Sequence, residues 1–344
     1  MPASFPHASG DSDHHLIIFT SQGDTHAEVV VRAWHALGGI VTTIDTRELL
    51  NAAPRCLLLG AGLQGRESGA GSHQESVLIT DWSGSGEGVR IWLRRTGLAH
   101  SNLGDPADRR FAEREAECFW QSALAVIWPR GFWVNHPQAA RRAERKAWQL
   151  QEAANAGWRI PRTLMGNDPE QIRAFVAALG GCAVYKPFAP FNWEQEGDRL
   201  AIHAQLVTLA QLEDTTMLRA APGIYQEPIR KAADVRVTVF GRCIVAVEIG
   251  GDLPAGSVDW KAIPSQRLRI RPVRLPHDVE EGIRRLMQLL DLRFGCLDLI
   301  RTPENEWVFL EINEAGQFLW LEEACPELPM LAHFCGLLWE ADAG

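Results

Sequence analysis

A surplus of positive charge is missing from this chain: 34 lysines and arginines stand against 43 aspartates and glutamates, a net charge of −9. Holding nucleic acid by neutralising its phosphates needs a basic surface, so that class of partner is set aside. Paired cysteines are missing too. The seven thiols (Cys56, Cys118, Cys182, Cys243, Cys296, Cys325, Cys335) are odd in number and widely spread, without a C-x-x-C pair. That removes a disulfide framework and that type of zinc or redox site, and points to free thiols in a reducing cytoplasm. No apolar run approaches the ~18 residues of a membrane span, and MPASFPHASGDSDHH has no basic stretch leading into an apolar core, so neither a membrane anchor nor a signal peptide is expected. Residues 1–15 read as a disordered leader with His14 and His15 solvated in it. There is no internal repeat and no Ser-His or Cys-His pattern of a nucleophilic enzyme.

What is present is a 46% hydrophobic chain of 344 residues, enough for about two or three compact units. Its most informative stretch is Phe294 to Glu322. CLDLI and WVFLEIN are apolar runs of strand length, separated by TPEN, whose proline and asparagine are turn residues. A hairpin centred on Glu304 and Asn305 places Asp298 directly opposite Glu311, with Cβ atoms about 4.5–5.5 Å apart. Asn313 shares their face, and Leu297, Leu299, Leu310 and Ile312 point to the other side. Like charges opposite each other destabilise a sheet unless something neutralises them. A hard divalent cation such as Mg²⁺, which prefers oxygen ligands, would do so.

Elsewhere the pattern mixes α and β. Leu16–Thr20 and Ile40–Ile44 read as strands around a helix at Ala27–Leu37, a β-α-β opening. Gly60 to Gly65 (GAGLQG) matches G-x-G-x-x-G, with Asp81 about twenty residues on, so a nicotinamide enzyme is a rival. The stretch that follows, RESGAGSHQES, offers no apolar helical face to start a helix at the third glycine, and residues 60–76 fit a Gly/Ser-rich surface loop better. SGSGEG (83–88) looks like a hairpin turn. Helices are expected at 109–127, 139–156 (stopping at Gly157), from Asp168-Pro169 to Gly180-Gly181, at 208–218 and at 279–290. Strands are expected at 182–188 and 223–229, with a hairpin at 234–249 turning at Gly241-Arg242.

Taken singly, the other polar residues are ambiguous. Lys186 ends a strand before a proline, where it could reach a cleft or simply be solvated. Glu227 abuts Pro228. Asp234, Arg236 and Thr238 share one strand face, where the arginine fork suits a phosphate or an ion pair with Asp234 or Glu248. Lys146 lies in the charged run ARRAERK. Most of the thirteen tryptophans are expected in cores, with Trp260 and Trp320 near the polar clusters.

Together, GCLDLI with FLEINEAGQFLWLE, IYQEPI leading into DVRVTVFG, WVNHP with AERKAWQL, IPRTLMGNDPE and the early IWLRR resemble the ATP-grasp superfamily, and within it the microviridin-type ribosomal peptide maturases, the graspetide synthetases. The resemblance covers nearly the whole chain beyond residue 15. It implies an α/β and α+β multidomain ATP-grasp fold: an N-terminal β-α-β domain at 16–135, a central subdomain at 136–230, and a C-terminal subdomain at 231–344 carrying a magnesium site. It also implies ATP and Mg²⁺ as cofactors, with Asp298, Glu311 and Asn313 as metal ligands. Lys146, Lys186, Gln226, Glu227 and Ile229 would hold the nucleotide, and Arg236 would face the transferred phosphate. Gln317, Arg95 and Lys261 are candidates for substrate contact. Two departures stand out: no glycine-rich loop follows Lys186, and Glu314 replaces the family's usual proline after the metal-binding asparagine.

The activity implied is a cytoplasmic ligase that activates Asp or Glu side chains of a precursor peptide as acyl phosphates, for attack by a Ser/Thr hydroxyl or Lys amine, giving macrolactones or macrolactams. A leader-bearing acidic peptide is then the partner, and a homodimer is an assembly common among such ligases that the sequence does not fix. The alternatives are a ligase joining an amino acid to a peptide or small metabolite, the nicotinamide enzyme, and a non-catalytic module that keeps the fold.

Overall fold

The computed structural model describes residues 14–48, 50, 88–94, 96–97, 99–188, 192–195, 198–201, 204–252, 258–263 and 267–339. GAGLQG, the 60–76 loop, most of the 83–88 turn, Arg95 and the leader up to residue 13 lie outside the described residues. The chain divides into two compact units. One takes the described residues up to Arg141 with Leu292–Phe294 and the segment from Pro329, and the other Arg142–Asp291 with Gly295–Leu328.

In the first unit, strands β1 (His15–Thr20), β2 (Ile40–Asp45), β3 (Arg90–Leu93) and β4 (Phe132–Val134) form a parallel sheet in the order β2-β1-β3-β4. Helix α1 (Thr25–Ala36) is opened by Asp24, whose carboxylate accepts from the backbone N–H groups of His26 and Ala27. Helix α2 (Pro106–Leu124) begins at Asp105-Pro106, a cap and N1 proline earlier than the expected start at 109. The run LIIF is buried throughout because the sheet is covered on both faces. Ile17 and Phe19 pack with Trp120, Trp128 and Trp133, so these tryptophans are core as expected. Asn135 fixes the stretch 292–294: its Oδ1 accepts from the N–H groups of Arg293 (2.8 Å) and Phe294 (3.0 Å), and its Nδ2 donates to the Phe294 carbonyl at 2.8 Å.

The leader expectation fails at its end. His15 opens β1 and bonds Thr42 Oγ1 through Nε2 at 2.8 Å, and the His14 ring stacks on Trp339 at 4.0 Å. Pairing along β2 draws the chain in this far: the Ile40 N–H donates to the His14 carbonyl at 3.0 Å.

The expected helix over 139–156 is two helices, α3 (Pro137–Ala143) and α4 (Lys146–Asn155). Buried Gln149 donates its side-chain amide to the Ala143 carbonyl, taking an acceptor that a continuous helix would use. In the second unit, β5 (Thr163–Gly166), α5 (Pro169–Ala178) and β6 (Cys182–Lys186) precede a small ribbon, β7 (Asn192–Gln195) and β8 (Asp198–Ala201). Strand β9 (Gln205–Thr208) follows. The helix expected at 208–218 is replaced by that strand end, a 3₁₀ turn at Leu209–Leu212, and α6 (Thr215–Ala220). Two local caps divide it, the Thr208–Gln211 capping box and Asp214. With β10 (Gly223–Gln226) the strands make an antiparallel sheet, β5-β10-β6-β9, whose core includes Ile172 and Val176 of α5.

The second sheet of this unit runs β13-β12-β11-β14-β15, from β11 (Ala233–Phe240), β12 (Cys243–Gly250), β13 (Arg269–Pro272), β14 (Phe294–Arg301) and β15 (Trp307–Asn313). β11 and β12 turn at Gly241-Arg242 as expected, with Gly241 at φ +60°. Helix α7 (His277–Leu290) buries the five residues picked by their spacing, Val279, Ile283, Leu286, Met287 and Leu290. After α8 (Leu319–Ala324), the chain ends its described part in the first unit with α9 (Met330–Trp339), where Phe334 meets Trp92 at 4.6 Å.

Candidate active site

The hairpin carries the expected pair: Asp298 and Glu311 are directly opposed. The register reaches this result by a route the sequence did not disclose. Near the turn Arg301 faces Trp307, one residue out of step with a turn centred on Glu304 and Asn305. A bulge at Phe309-Leu310 restores the pairing at Asp298. The bulge also re-aims one side chain. Leu310, expected on the dry face, is half-buried and lines the cleft beside buried Leu299, whereas Leu297 and Ile312 are buried outside its lining.

The repulsion between the two carboxylates is met by cations of the protein itself. Asp298 accepts from Arg236 at Oδ1 (2.7 Å) and from Lys261 at Oδ2 (2.9 Å), and Glu311 accepts from Lys261 at Oε1 (2.7 Å) and from Lys146 at Oε2 (2.9 Å). Every carboxylate oxygen therefore carries one charged donor. Arg236 sits on β11 beside β14, is buried, and keeps an Nε donor without a hydrogen-bond partner among the described residues. Neither ion-pair partner considered from the sequence is used: Asp234 pairs with Lys231 (2.6 Å) and Glu248 with Arg271 and Arg301. Behind the pair, Gly316 leaves room that a Cβ would fill, 2.6 Å from Cys296 and 3.1 Å from Arg236 Nη2.

Burial alone would push the Glu311 carboxyl upward. The ammonium groups of Lys261, Lys146 and Lys186 outweigh it and hold the carboxyl well below the usual range. Burial works the other way on Lys261 and Arg236, yet Asp298 and Glu311 raise both above their ordinary values. For Lys186 burial prevails and lowers the ammonium, against the pull of Glu311 and Asp259. Burial also raises Asp234, opposed by Lys231.

Most of these groups line one cleft in the second unit, about 770 Å³ of empty space including its open mouth, while Arg236 and Lys146 reach the carboxylate pair from outside the lining. Lys186, Gln226, Glu227, Ile229, Lys261, Asp298 and Glu311 line it, together with Val184, Ala204, Val258 and Trp260. Its apolar wall, facing a convergent set of charged side chains, has the character of a site for a small polar molecule. Lys186 is carried by the end of β6, Gln226 by the end of β10, and Glu227 by the segment just after it, where Arg162 donates to its carboxylate from N (3.2 Å) and Nε (3.4 Å). Asn313 lies on β15 opposite Cys296, outside the lining. Gln317 is exposed and also outside the lining. Its carbonyl accepts from Trp320 Nε1 at 3.3 Å, and Trp320 stacks on Trp260 at 5.5 Å.

Two residues escaped sequence reasoning. Gln149 donates to the Ile312 carbonyl (2.8 Å) and accepts from the Ile312 N–H (3.1 Å), pinning α4 to the strand that carries Glu311. Its signal was faint: a polar side chain one helical turn after Lys146. Lys231 lines the cleft and donates to the Val258 carbonyl at 2.9 Å.

No protein-family model matches the chain, and no curated protein matches it at the significance asked of a relative. Solved structures do. The macrocyclase MdnC bound with precursor peptide MdnA, from Microcystis aeruginosa MRC, superposes with a TM-score of 0.76 at 24% identity, over 95% of this chain and 99% of that one. The fold is the ATP-grasp fold. The RiPP-associated ATP-grasp ligase of Chryseobacterium gregarium, in complex with ADP and a leader and core peptide, gives 0.74 at 24% identity over 95% and 97% of the chains. The ATP-grasp ligase PsnB, complexed with a phosphomimetic variant of its minimal precursor, Mg and ADP, gives 0.70 at 22% identity over 96% and 99%.

The residues fit a magnesium ion on the structure's own terms. Lys261 Nζ, within 3 Å of both carboxylates, proves that one cation can touch Asp298 and Glu311 together. Among the described residues there is no cluster of three His, Cys, Asp or Glu side chains. Two carboxylates suffice for Mg²⁺, which usually completes its shell with water and substrate phosphates.

Proposed function

We propose that this chain is an ATP-dependent, ADP-forming ligase that activates Asp or Glu side chains of a ribosomal precursor peptide and closes macrolactone or macrolactam rings. The observation that carries the reading is the opposed pair Asp298/Glu311, braced by Arg236, Lys261 and Lys146 in the same cleft as Lys186 and Gln226 to Ile229. An array of cations beside two carboxylates able to bind a metal suits phosphoryl transfer, since its cost lies in charge on the phosphoryl oxygens. Support for the substrate class is the likeness to a macrocyclase solved with its precursor peptide and to a ligase solved with leader and core peptides.

In this reading the nucleotide base packs against Val184 and Ile229 while Gln226 and Glu227 meet its edge. Lys146 and Lys186 serve the phosphates, and residues 136–230 and 231–344 act as the two subdomains that meet the nucleotide. Asp298, Glu311 and Asn313 would hold Mg²⁺, which would supply positive charge beside the transferring phosphoryl group. A substrate carboxylate oxygen attacks the γ-phosphorus and ADP leaves. A hydroxyl or amine of the peptide then attacks the acyl carbon, phosphate departs with the bonding electrons, and the nucleophile's proton is lost to solvent. Arg236, with its unpartnered Nε, faces both charged states. Arg95, Gln317 and Lys261 contact the peptide or its activated carboxylate, and the enzyme works in the cytoplasm as a homodimer. No described helix is long and apolar enough to cross a membrane.

A second reading, ligation of a free amino acid to a peptide or metabolite, uses the same cleft and chemistry. Incubation with ATP, Mg²⁺ and an acidic precursor peptide, followed by mass spectrometry, separates the two. Successive losses of one water from the peptide are expected, and an ADP release triggered by free amino acids would favour the second reading. Glu311→Ala is expected to lower the dehydration rate by at least about 10³-fold with the fold intact. Unchanged turnover in that variant would remove the site assignment.

A further inference from the structure

Of the three cations on the carboxylate pair, two sit on a long strand or an anchored helix and one on a short turn. Arg236 projects from the middle of β11 with its side chain 6% exposed, and Lys146 begins α4, which Gln149 ties to β15. Lys261 comes from a 3₁₀ turn of three residues, Trp260–Ala262, and its side chain is 34% exposed at the cleft wall. It is also the one cation that touches both carboxylates, through Asp298 Oδ2 and Glu311 Oε1, while Arg236 and Lys146 take the remaining oxygens. A divalent ion that bridged the pair would need the oxygens Lys261 holds. It would also meet an ammonium at contact distance, where like charges repel strongly in a partly desolvated cleft.

We propose that the Lys261 ammonium and the divalent cation are alternative occupants of the seat between Asp298 and Glu311, and that nucleotide phosphates settle the exchange. The inference rests on the Mg-ATP reading of this cleft. A ligand that must displace a bound group binds more weakly by the factor with which that group holds the site. Phosphate oxygens give the lysine a second anionic partner within reach of its flexible four-carbon stem, so nucleotide lifts the competition and metal and nucleotide bind with positive coupling. Lys261 thereby keeps the carboxylates neutralised until nucleotide and metal arrive together. Trp260, 5.8 Å from the ammonium and stacked on Trp320, gives the stem an aromatic surface along which to swing.

The test uses the full chain with Mn²⁺ as the metal probe, free Mn²⁺ being read by electron paramagnetic resonance with and without ADP. The parent protein is expected to bind Mn²⁺ weakly alone and about tenfold or more tightly with ADP. Lys261→Met is expected to bind Mn²⁺ alone about tenfold more tightly than the parent, and to lose a like factor of the coupling to ADP. Lys261→Gln, which keeps a polar end, should move the same way, and it guards against a variant that folds poorly. Parental or weaker Mn²⁺ affinity in both folded variants, with normal Mn²⁺ and ADP binding by the parent, would overturn the exchange while leaving the Mg-ATP reading intact. Failure of the parent to bind either ligand would overturn that reading and the exchange with it.

Discussion

Replacing Gln149 by methionine keeps the length and packing of the side chain and removes only its amide. The wild-type amide satisfies three backbone groups: its Nε2 protons go to the carbonyls of Ala143 and Ile312, and its Oε1 accepts from the Ile312 N–H. The residue is 1% exposed, so water cannot take over these bonds without opening the contact between α4 and β15. An unsatisfied buried donor or acceptor costs about 1–3 kcal/mol, and Ile312 alone would present one of each. The expected loss is therefore about 3 kcal/mol, toward the low end of the sum because the Ala143 carbonyl lies at a helix end. Gln151→Met is the control: its amide meets only Asn155 on the exposed side of the same helix, and a change within about 0.5 kcal/mol is expected. Denaturant unfolding of both variants measures the difference. Because Ile312 lies between Glu311 and Asn313, and Lys146 is one turn from Gln149, the same variant is expected to weaken Mg·ADP binding by about tenfold. A stability loss under about 1 kcal/mol for Gln149→Met would refute the clamp.

Two further outcomes follow from the charge network. Arg236→Met leaves the buried Asp298 carboxylate with Lys261 alone and should destabilise the protein by about 3 kcal/mol, the low end for breaking a buried pair, as read by chemical denaturation. Glu248 is half-buried, which raises its carboxyl, yet Arg271 and Arg301 together hold it below the ordinary value. A carboxylate depressed on folding contributes stability that is complete above its unfolded value of about 4.3 and is lost as pH falls through the folded value. Glu248→Gln should therefore cost about 1–2 kcal/mol at neutral pH, and the gap between parent and variant should close as the pH is lowered below about 4; a gap that persists there would contradict the assignment.

Alternation fixed Asp298 and Glu311 on one face, but a symmetric turn would have set them opposite without a bulge. The real register is one residue off at Arg301 and Trp307 and is corrected at Leu310. A bulge is a response to packing across the sheet, so the local pattern gave the right pair and the wrong place for Leu310. The helix over 139–156 failed for a similar reason. Periodicity runs through residues 144–145, whereas the break is made by an amide that also reaches Ile312, 163 residues away in the chain.

By itself the sequence determined part of the elements and their faces: the buried run LIIF, the five core positions of α7, the turn at Gly241, and two acids and an arginine on strands of the right polarity. It does so because side-chain period and turn chemistry are local properties. Only the tertiary structure decided what balances the acids. Sequence alone suggested a metal to relieve their repulsion. The folded chain brings Arg236, Lys261 and Lys146 onto the four oxygens from three separate segments. Such long-range charge pairing leaves no periodic trace in the chain, because each partner is placed by the packing of its own element and not by its distance in sequence from the acids.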